Sequence, residues 1–74
     1  MTYVLVVEPK DGMGRNGDGT VVFDHSLQDL KRLAGVLWAH YTAAEQKARR
    51  ITVGTAITKD GDLLGIDTVE EVWE

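Results

Sequence analysis

Residues 24–50, DHSLQDLKRLAGVLWAHYTAAEQKARR, carry the strongest periodic pattern in the chain. Asp24 or Ser26 can serve as the N-cap, because its side-chain oxygen accepts a hydrogen bond from an unpaired amide of the first turn. Apolar residues then recur at the spacing of a single helical stripe. They are Leu27, Leu30, Leu33, Ala34, Leu37, Tyr41, Ala44 and Ala48. The pattern predicts one long amphipathic helix from about Leu27 to Ala48 or Arg49, with Lys47, Arg49 and Arg50 complementing the negative end of its dipole.

Two segments rich in β-branched residues precede this helix. Tyr3–Glu8 is an unbroken run of strand length with apolar residues on both faces, which favours a strand covered on both sides over an edge strand. Thr20–Phe23 predicts a second strand, paired with the first as a hairpin. Asp11–Gly19 lies between them and contains four glycines, so we expect a long loop there.

A second hairpin is predicted after the helix. Ile51–Thr58 alternates in polarity, and Asp60-Gly61 is a preferred pair for a two-residue turn because both positions must tolerate positive φ. Leu63–Asp67 would form the return strand. The expected register pairs Leu64 with Ile57 and Ile66 with Thr55, which would leave Gly54, Ala56 and Gly65 together as a patch almost without side chains. Residues 68–74 fit either a terminal helical turn or a continuation of the strand.

These elements predict an α+β fold of order β-β-α-β-β in a single domain, residues 1–74. The economical architecture packs the leucine stripe of the helix on one face of a four-stranded, mostly antiparallel sheet.

Composition excludes several classes of protein. The chain of 74 residues contains no cysteine, which excludes disulfides, thiolate zinc sites and cysteine nucleophiles. No apolar run approaches the roughly 20 residues of a membrane helix, and the first residues carry no basic signal-peptide region. We therefore expect a cytoplasmic protein that does not bind membranes. The pI of about 5.0 is far from the basic values typical of nucleic-acid binders, so direct nucleic-acid binding through Lys47, Arg49 and Arg50 is not expected.

Two stretches contain the residue types of a ligand-binding or catalytic motif but lack the structural setting that the motif requires. Gly12-Met13-Gly14-Arg15-Asn16-Gly17 matches the dinucleotide fingerprint, yet a strand follows it where the pyrophosphate needs a helix N-terminus. The acidic residues of the same loop lack the ligand spacing of a calcium loop. Asp24-His25-Ser26 contains the residue types of a hydrolytic triad, but adjacent side chains diverge. We expect a mobile glycine loop, no cofactor, no metal and no enzymatic activity.

The C-terminal third is strongly acidic and is the first candidate contact surface. Between residues 51 and 74 six acids face a single lysine. Carboxylates at this density can imitate a phosphate backbone and occupy a basic groove on a partner protein. The candidate residues are Asp67, Glu70, Glu71 and Glu74. Two alternatives remain open: the acids form a solvated edge that discourages aggregation, or they pair with Lys47, Arg49 and Arg50 of the same chain.

The second candidate surface is the side of the predicted helix opposite the leucine stripe, called the helix back face. It consists of Gln28, Arg32, Gly35, Ala39, Thr42, Ala43 and Gln46. Its centre is uncharged, and Gly35 costs about 1 kcal/mol relative to alanine in a helix interior, which suggests a need for close approach. Trp38, a residue type enriched in interface hot spots, lies at its margin. The contact candidates are therefore Gly35, Trp38, Ala39 and Thr42. In the alternative interpretation, alanine is simply a good helix former and Trp38 folds over the edge of the core.

The leading functional prediction is a small acidic, non-enzymatic binding protein that occupies the surface of a protein partner. In size, charge and lack of cysteine the chain is similar to many phage-encoded inhibitors, anti-CRISPR proteins among them. That likeness covers no motif and assigns no residue, but it implies a viral inhibitor. The alternative prediction is a self-associating structural or accessory domain that forms a homodimer through the helix back face.

Overall fold

Residues 1–10 and 19–74, which the computed structural model describes, form four strands and two helices in the order β-β-α-α-β-β. The strands are β1 (Tyr3–Pro9), β2 (Thr20–Asp24), β3 (Arg49–Lys59) and β4 (Asp62–Trp73). The helices are α1 (Leu27–His40) and α2 (Ala43–Ala48). The expectations of a mobile loop that binds neither nucleotide nor calcium concern residues 11–18, which lie outside the described residues.

The strands form one antiparallel sheet of order β2-β1-β3-β4. The predicted α+β class and the pairing of the first two strands are confirmed. β1 lies inside the sheet, hydrogen-bonded to β2 on one side and β3 on the other, which agrees with the prediction that it is not an edge strand. β4 continues to Trp73, so residues 68–73 extend the strand and form no terminal helix.

The helix-side core lies between α1 and one face of the sheet. Leu5 and Val53, which are directly opposite each other on β1 and β3, are fully buried against Leu30 and Ala34 of α1. Successive side chains on a strand alternate between the two faces. The same face therefore also carries Val7 and Ile51, which complete the cluster of buried apolar side chains.

The start of α1 agrees with the predicted caps. Ser26 is the N-cap, and its Oγ accepts a hydrogen bond of 3.2 Å from the amide of Asp29. Asp24 Oδ1 accepts a bond of 3.0 Å from the amide of Ser26. Both cap candidates are used, one to cap the helix and one to hold the turn that leads into it.

The prediction of one long helix to Ala48 or Arg49 was wrong, because the helix is interrupted at Tyr41 and Thr42. Tyr41 has extended backbone angles, φ −70° and ψ 143°, and α2 begins immediately after Thr42. Thr42 Oγ1 accepts a bond of 3.2 Å from the Glu45 amide, while Glu45 Oε1 accepts one of 3.0 Å from the Thr42 amide. This reciprocal pair is a capping box, and it satisfies amides that would otherwise lack partners at the start of α2.

The break also changes the surroundings of the basic residues at the end of the predicted helix. Arg49 and Arg50 belong to β3, and Lys47 alone of the three lies in the last turn of α2. Arg49 stacks over the Tyr41 ring, 5.5 Å from its centroid, and Arg50 forms ion pairs within the sheet. The predicted dipole complementation therefore applies to Lys47 only.

The turn between β3 and β4 is as predicted, but the register of the two strands is not. Asp60 and Gly61 have φ angles of 54° and 84°, which the two-residue turn requires. Ala56 lies opposite Ile66 and Ile57 opposite Gly65, one residue away from the predicted pairs. Because a slip of one residue exchanges the two faces, the predicted patch of Gly54, Ala56 and Gly65 does not form.

The side chain of Ile66 lies beside Gly54, where the patch without side chains was expected. A Cβ built on Gly54 would overlap the carbonyl oxygen of Thr68 and lie 2.5 Å from Ile66 Cγ2. Glycine is therefore required at residue 54 by the close approach of β4. A Cβ on Gly65, in contrast, would meet no atom within 4 Å.

Gly54→Ala should destabilise the fold by about 1–3 kcal/mol, the usual cost of overpacking a filled interior. Gly65→Ala is the matched control and should be neutral or slightly stabilising, because its added methyl group meets open space and restricts the unfolded chain. Urea denaturation of both variants measures the difference. Equal stabilities would mean that β4 can move away from Gly54 at no cost.

Candidate functional site

The acidic residues predicted to bind a partner lie along β4, an outer strand of the sheet. Among the described residues, β4 is paired on one side only, with β3. We call the four exposed carboxylates in the second half of this strand and just beyond it the acidic edge. They are Asp67, Glu70, Glu71 and Glu74. The structure thus brings all four to one margin of the molecule.

Two members of the acidic edge are held in ion pairs within the chain. Glu71 Oε2 lies 3.6 Å from Lys31 Nζ of α1. Glu74 Oε2 lies 2.8 Å from Arg50 Nε, and the same guanidinium lies 3.8 Å from Glu8 Oε1. Pairing with Arg50 was one of the alternatives left open, whereas the contact with Lys31 was not predicted. Exposed pairs of this kind contribute about 0–1 kcal/mol each.

Asp67 and Glu70 differ from these two. Neither carboxylate has an ion-pair partner within 4.0 Å among the described residues, and both residues are exposed. Lys47 and Arg49, the other cations considered as partners, do not reach them: Arg49 pairs with Glu45 at 3.9 Å. Asp67 and Glu70 are therefore the two members of the acidic edge whose charge no described cation compensates locally.

The same two residues occupy the irregular part of β4. Val53 is opposite Glu71 and the next residue, Gly54, is opposite Val69, so Glu70 is an extra residue in the ladder. A second shift between Gly54 and Ala56 adds another residue in the stretch that contains Asp67. Bulges and charges on an outer strand prevent a further strand from pairing with it. The geometry therefore favours recognition by the side chains of this edge over addition of a partner strand.

The helix back face is divided by the break after α1. Ala39 is exposed, and a Cβ built on Gly35 would meet no atom within 4 Å. Thr42, however, lies beyond α1, and its hydroxyl accepts the capping hydrogen bond of α2. Gly35 and Ala39 thus share a surface that does not continue to Thr42.

Trp38 occupies the edge of the core. Its ring is half-buried against the helix-side core and contacts Tyr41 edge-on, with 6.0 Å between ring centroids. Its carbonyl oxygen accepts a hydrogen bond of 2.9 Å from Gln46 Nε2, which ties α1 to α2. This is the placement considered as the alternative to a contact residue.

A further surface was not singled out from the sequence: the sheet face opposite α1, here called the open face. Its apolar part is formed around Thr52 by residues that lie on the same face by strand alternation and register: Val4, Val6, Val21, Phe23, Ile66, Val69 and Val72. Val21, Phe23 and Val72 remain 45%, 41% and 42% exposed. The apolar residues on both faces of Tyr3–Glu8 were the signal for it, but they were interpreted as evidence that both faces are covered.

Grooves and clusters in the described residues offer little for a small ligand. One groove, of about 560 Å³, runs beside Leu27, Gln28, Lys31 and Arg32. Both of its cations are already paired, Lys31 with Glu71 and Arg32 with Asp29. Residues 1–10 and 19–74 contain no group of three or more acids and histidines that could hold a metal ion. Neither described helix has the length and apolar character needed to cross a membrane.

Comparison with known proteins found no matching family model, no similar curated protein and no similar solved structure. The functional proposals below therefore depend on the geometry and charge of this chain.

Titration of Glu45 tests the capping box and therefore the break between α1 and α2. Hydrogen bonds from the backbone and then the side chain of Thr42 lower the pKa of Glu45 below its ordinary 4.5, with a smaller contribution from Arg49. Because the folded-state pKa is depressed, the stabilisation is present above the unfolded pKa and is lost as pH falls through the folded value.

Thr42→Ala should raise the pKa of Glu45 part of the way towards 4.5, because it removes the side-chain contribution of Thr42 and keeps the larger one from its backbone amide. Arg49→Gln should raise it less. Carboxyl-carbon NMR titration of Glu45 measures both. A Glu45 pKa unaffected by Thr42→Ala would contradict the side-chain half of the capping box.

Proposed function

We propose that this chain is a non-enzymatic binding protein that uses its acidic edge to occupy a basic surface of a partner protein, and so inhibits that partner. The observation that carries the proposal is the placement of Asp67 and Glu70, which are exposed on an outer strand and have no ion-pair partner among the described residues. A carboxylate that is not neutralised within its own chain can form charge-assisted bonds with lysine or arginine of another.

The charge of the whole chain supports the same proposal. The net charge is −4, and six carboxylates lie in the last third of the sequence. A negative field of this kind steers a basic partner towards the acidic edge and raises the association rate. Attraction between exposed charges is screened over about 8 Å at physiological ionic strength, so the effect depends on salt.

The positions of the histidines support a non-enzymatic role. His25 precedes α1 and His40 is its last residue, so nearly the full length of a 14-residue helix separates them. At 1.5 Å per residue this is about 20 Å. The two imidazoles therefore cannot act on one substrate together.

Neutralising the two halves of the acidic edge separately tests the proposal. Asp67→Asn with Glu70→Gln removes the uncompensated carboxylates, while Glu71→Gln with Glu74→Gln removes the paired ones. Both variants lose two negative charges, so the long-range field weakens equally and both should associate more slowly with the partner. Only the first pair should also dissociate faster, because only those side chains form direct contacts with the partner.

The measurement uses the partner recovered from host lysate on the immobilised chain, with association and dissociation rates recorded across a salt series. Thermal melts control for folding, and the Glu71/Glu74 variant should lose slightly more stability because it leaves Lys31 without its acid and leaves Arg50 with Glu8 alone. If the association and dissociation rates change neither with salt nor in either variant, the acidic edge serves only to keep the chain soluble.

A further inference from the structure

We propose that the outer edge of β2 is a docking edge for an extended peptide segment of another protein, which adds to the sheet as a further antiparallel strand. β2 lies at the opposite end of the sheet from β4. At the usual strand spacing the two outer strands are about 14 Å apart. The docking edge is therefore a second contact surface, independent of the carboxylates Asp67 and Glu70 and of the function proposed for them.

The backbone of β2 presents hydrogen-bonding groups on this outer side. The carbonyl oxygen of Thr2, just before β1, accepts a bond of 3.0 Å from the Ala56 amide, so the even-numbered residues of β1 bond to β3. Successive residues of an antiparallel strand direct their N–H and C=O groups to opposite sides. The odd-numbered residues of β1 therefore bond to β2, through residues such as Val22. The N–H and C=O groups of Val21 and Phe23 consequently point away from the sheet.

β2 lacks the features that protect β4 from pairing. Its register with β1 runs from Thr20 to Asp24 without a shift, whereas the ladder between β3 and β4 is shifted at three places. Residues 20–23 carry neither a charge nor a proline. Among the described residues the sheet ends at β2, and no strand lies on its outer side. A regular, uncharged outer strand of this kind is a template for the addition of another strand.

The side chains of Val21 and Phe23 define what kind of peptide the docking edge fits. Both lie on the open face, and they remain 45% and 41% exposed. Residues that are paired across two strands place their side chains on the same face of the sheet. A peptide bonded to Val21 and Phe23 therefore packs its own side chains against theirs if two apolar residues lie two positions apart. The docking edge selects an extended segment in which apolar residues alternate.

Charge favours a segment of another protein over the β2 strand of a second copy. Two chains of net charge −4 repel each other, whereas a neutral or basic segment is not repelled. β2 is only five residues long, so pairing of two copies would form few bonds to offset this repulsion. The one charged residue of β2 is Asp24, at its last position, which favours a cation on the peptide opposite it.

Amide hydrogen exchange of the full chain tests whether the docking edge is free. The amides of Val21 and Phe23 should exchange at least about tenfold faster than the amide of Val22, which is bonded to β1. If all three are equally protected in dilute solution, another segment of the chain covers the edge and the proposal is overturned. Protection that appears only as the chain concentration rises assigns the edge to a second copy and overturns the proposal as well.

Binding of a probe peptide tests the occupant. The probe is Lys-Thr-Val-Thr-Val-Thr-Lys with blocked ends, whose two valines have the spacing of Val21 and Phe23. Its binding should slow the exchange of those two amides. The same peptide with N-methyl groups on both valines keeps its side chains but loses the donors that face β2, so it should not bind. Absence of binding by the first peptide at millimolar concentration, or equal binding by the second, would overturn the proposal.

A pair of variants at residue 21 separates the backbone of β2 from its side chains. Val21→Pro removes an outward N–H and should weaken peptide binding by about tenfold or more. The ladder with β1 should persist, because proline is tolerated on an outer strand where its missing N–H faces solvent. Val21→Thr is the matched control: it keeps the N–H and should weaken binding by less than about fivefold.

Circular dichroism melts establish that both variants are folded. Binding by Val21→Pro as tight as that of the wild type would contradict addition of a strand at this edge. If Val21→Pro does not fold, the comparison of the two peptides on the wild-type chain decides the question.

Discussion

The packing of α1 on one face of the sheet is the contact on which the rest of the structure depends. Leu30 and Ala34 lie against Leu5 and Val53, and these four residues are fully or almost fully buried. The strand order makes β4 an outer strand, and the acidic edge lies along it. On the face opposite α1, Val21, Phe23 and Val72 keep two-fifths or more of their surface exposed.

The sequence predicted those elements whose signals are local. The Ser26 cap, the Asp60-Gly61 turn and the two hairpins all follow from residues close together in the chain, and the structure contains them. The helix break was also encoded locally, in Thr42 to Glu45, but the apolar stripe that continues through Tyr41 and Ala44 concealed it. Periodicity alone does not distinguish one helix from two that meet at a cap.

The details that could not be predicted depend on contacts between distant residues. The register of β4 is set by the approach of Ile66 and Thr68 to Gly54, which no local pattern indicates. The division of the acidic edge likewise depends on where Lys31 and Arg50 lie in space. Charge counting selected residues that the structure places along β4, but it could not separate compensated carboxylates from Asp67 and Glu70. The open face was not predicted, because apolar residues on a face of a strand do not indicate whether another element covers that face.

The strand order β2-β1-β3-β4 has a consequence for how the chain folds. β1 is an interior strand, yet its pairs with β3 join residues as far apart as Tyr3 and Thr55. During synthesis β1 must therefore wait, with one edge and an apolar face unprotected, until some fifty further residues have emerged. Such distant pairing slows folding and exposes strand edges to misassembly. The β1–β2 hairpin is the first part of the sheet that can form, and it leaves the edge of β1 that later pairs with β3 exposed until β3 has been synthesised.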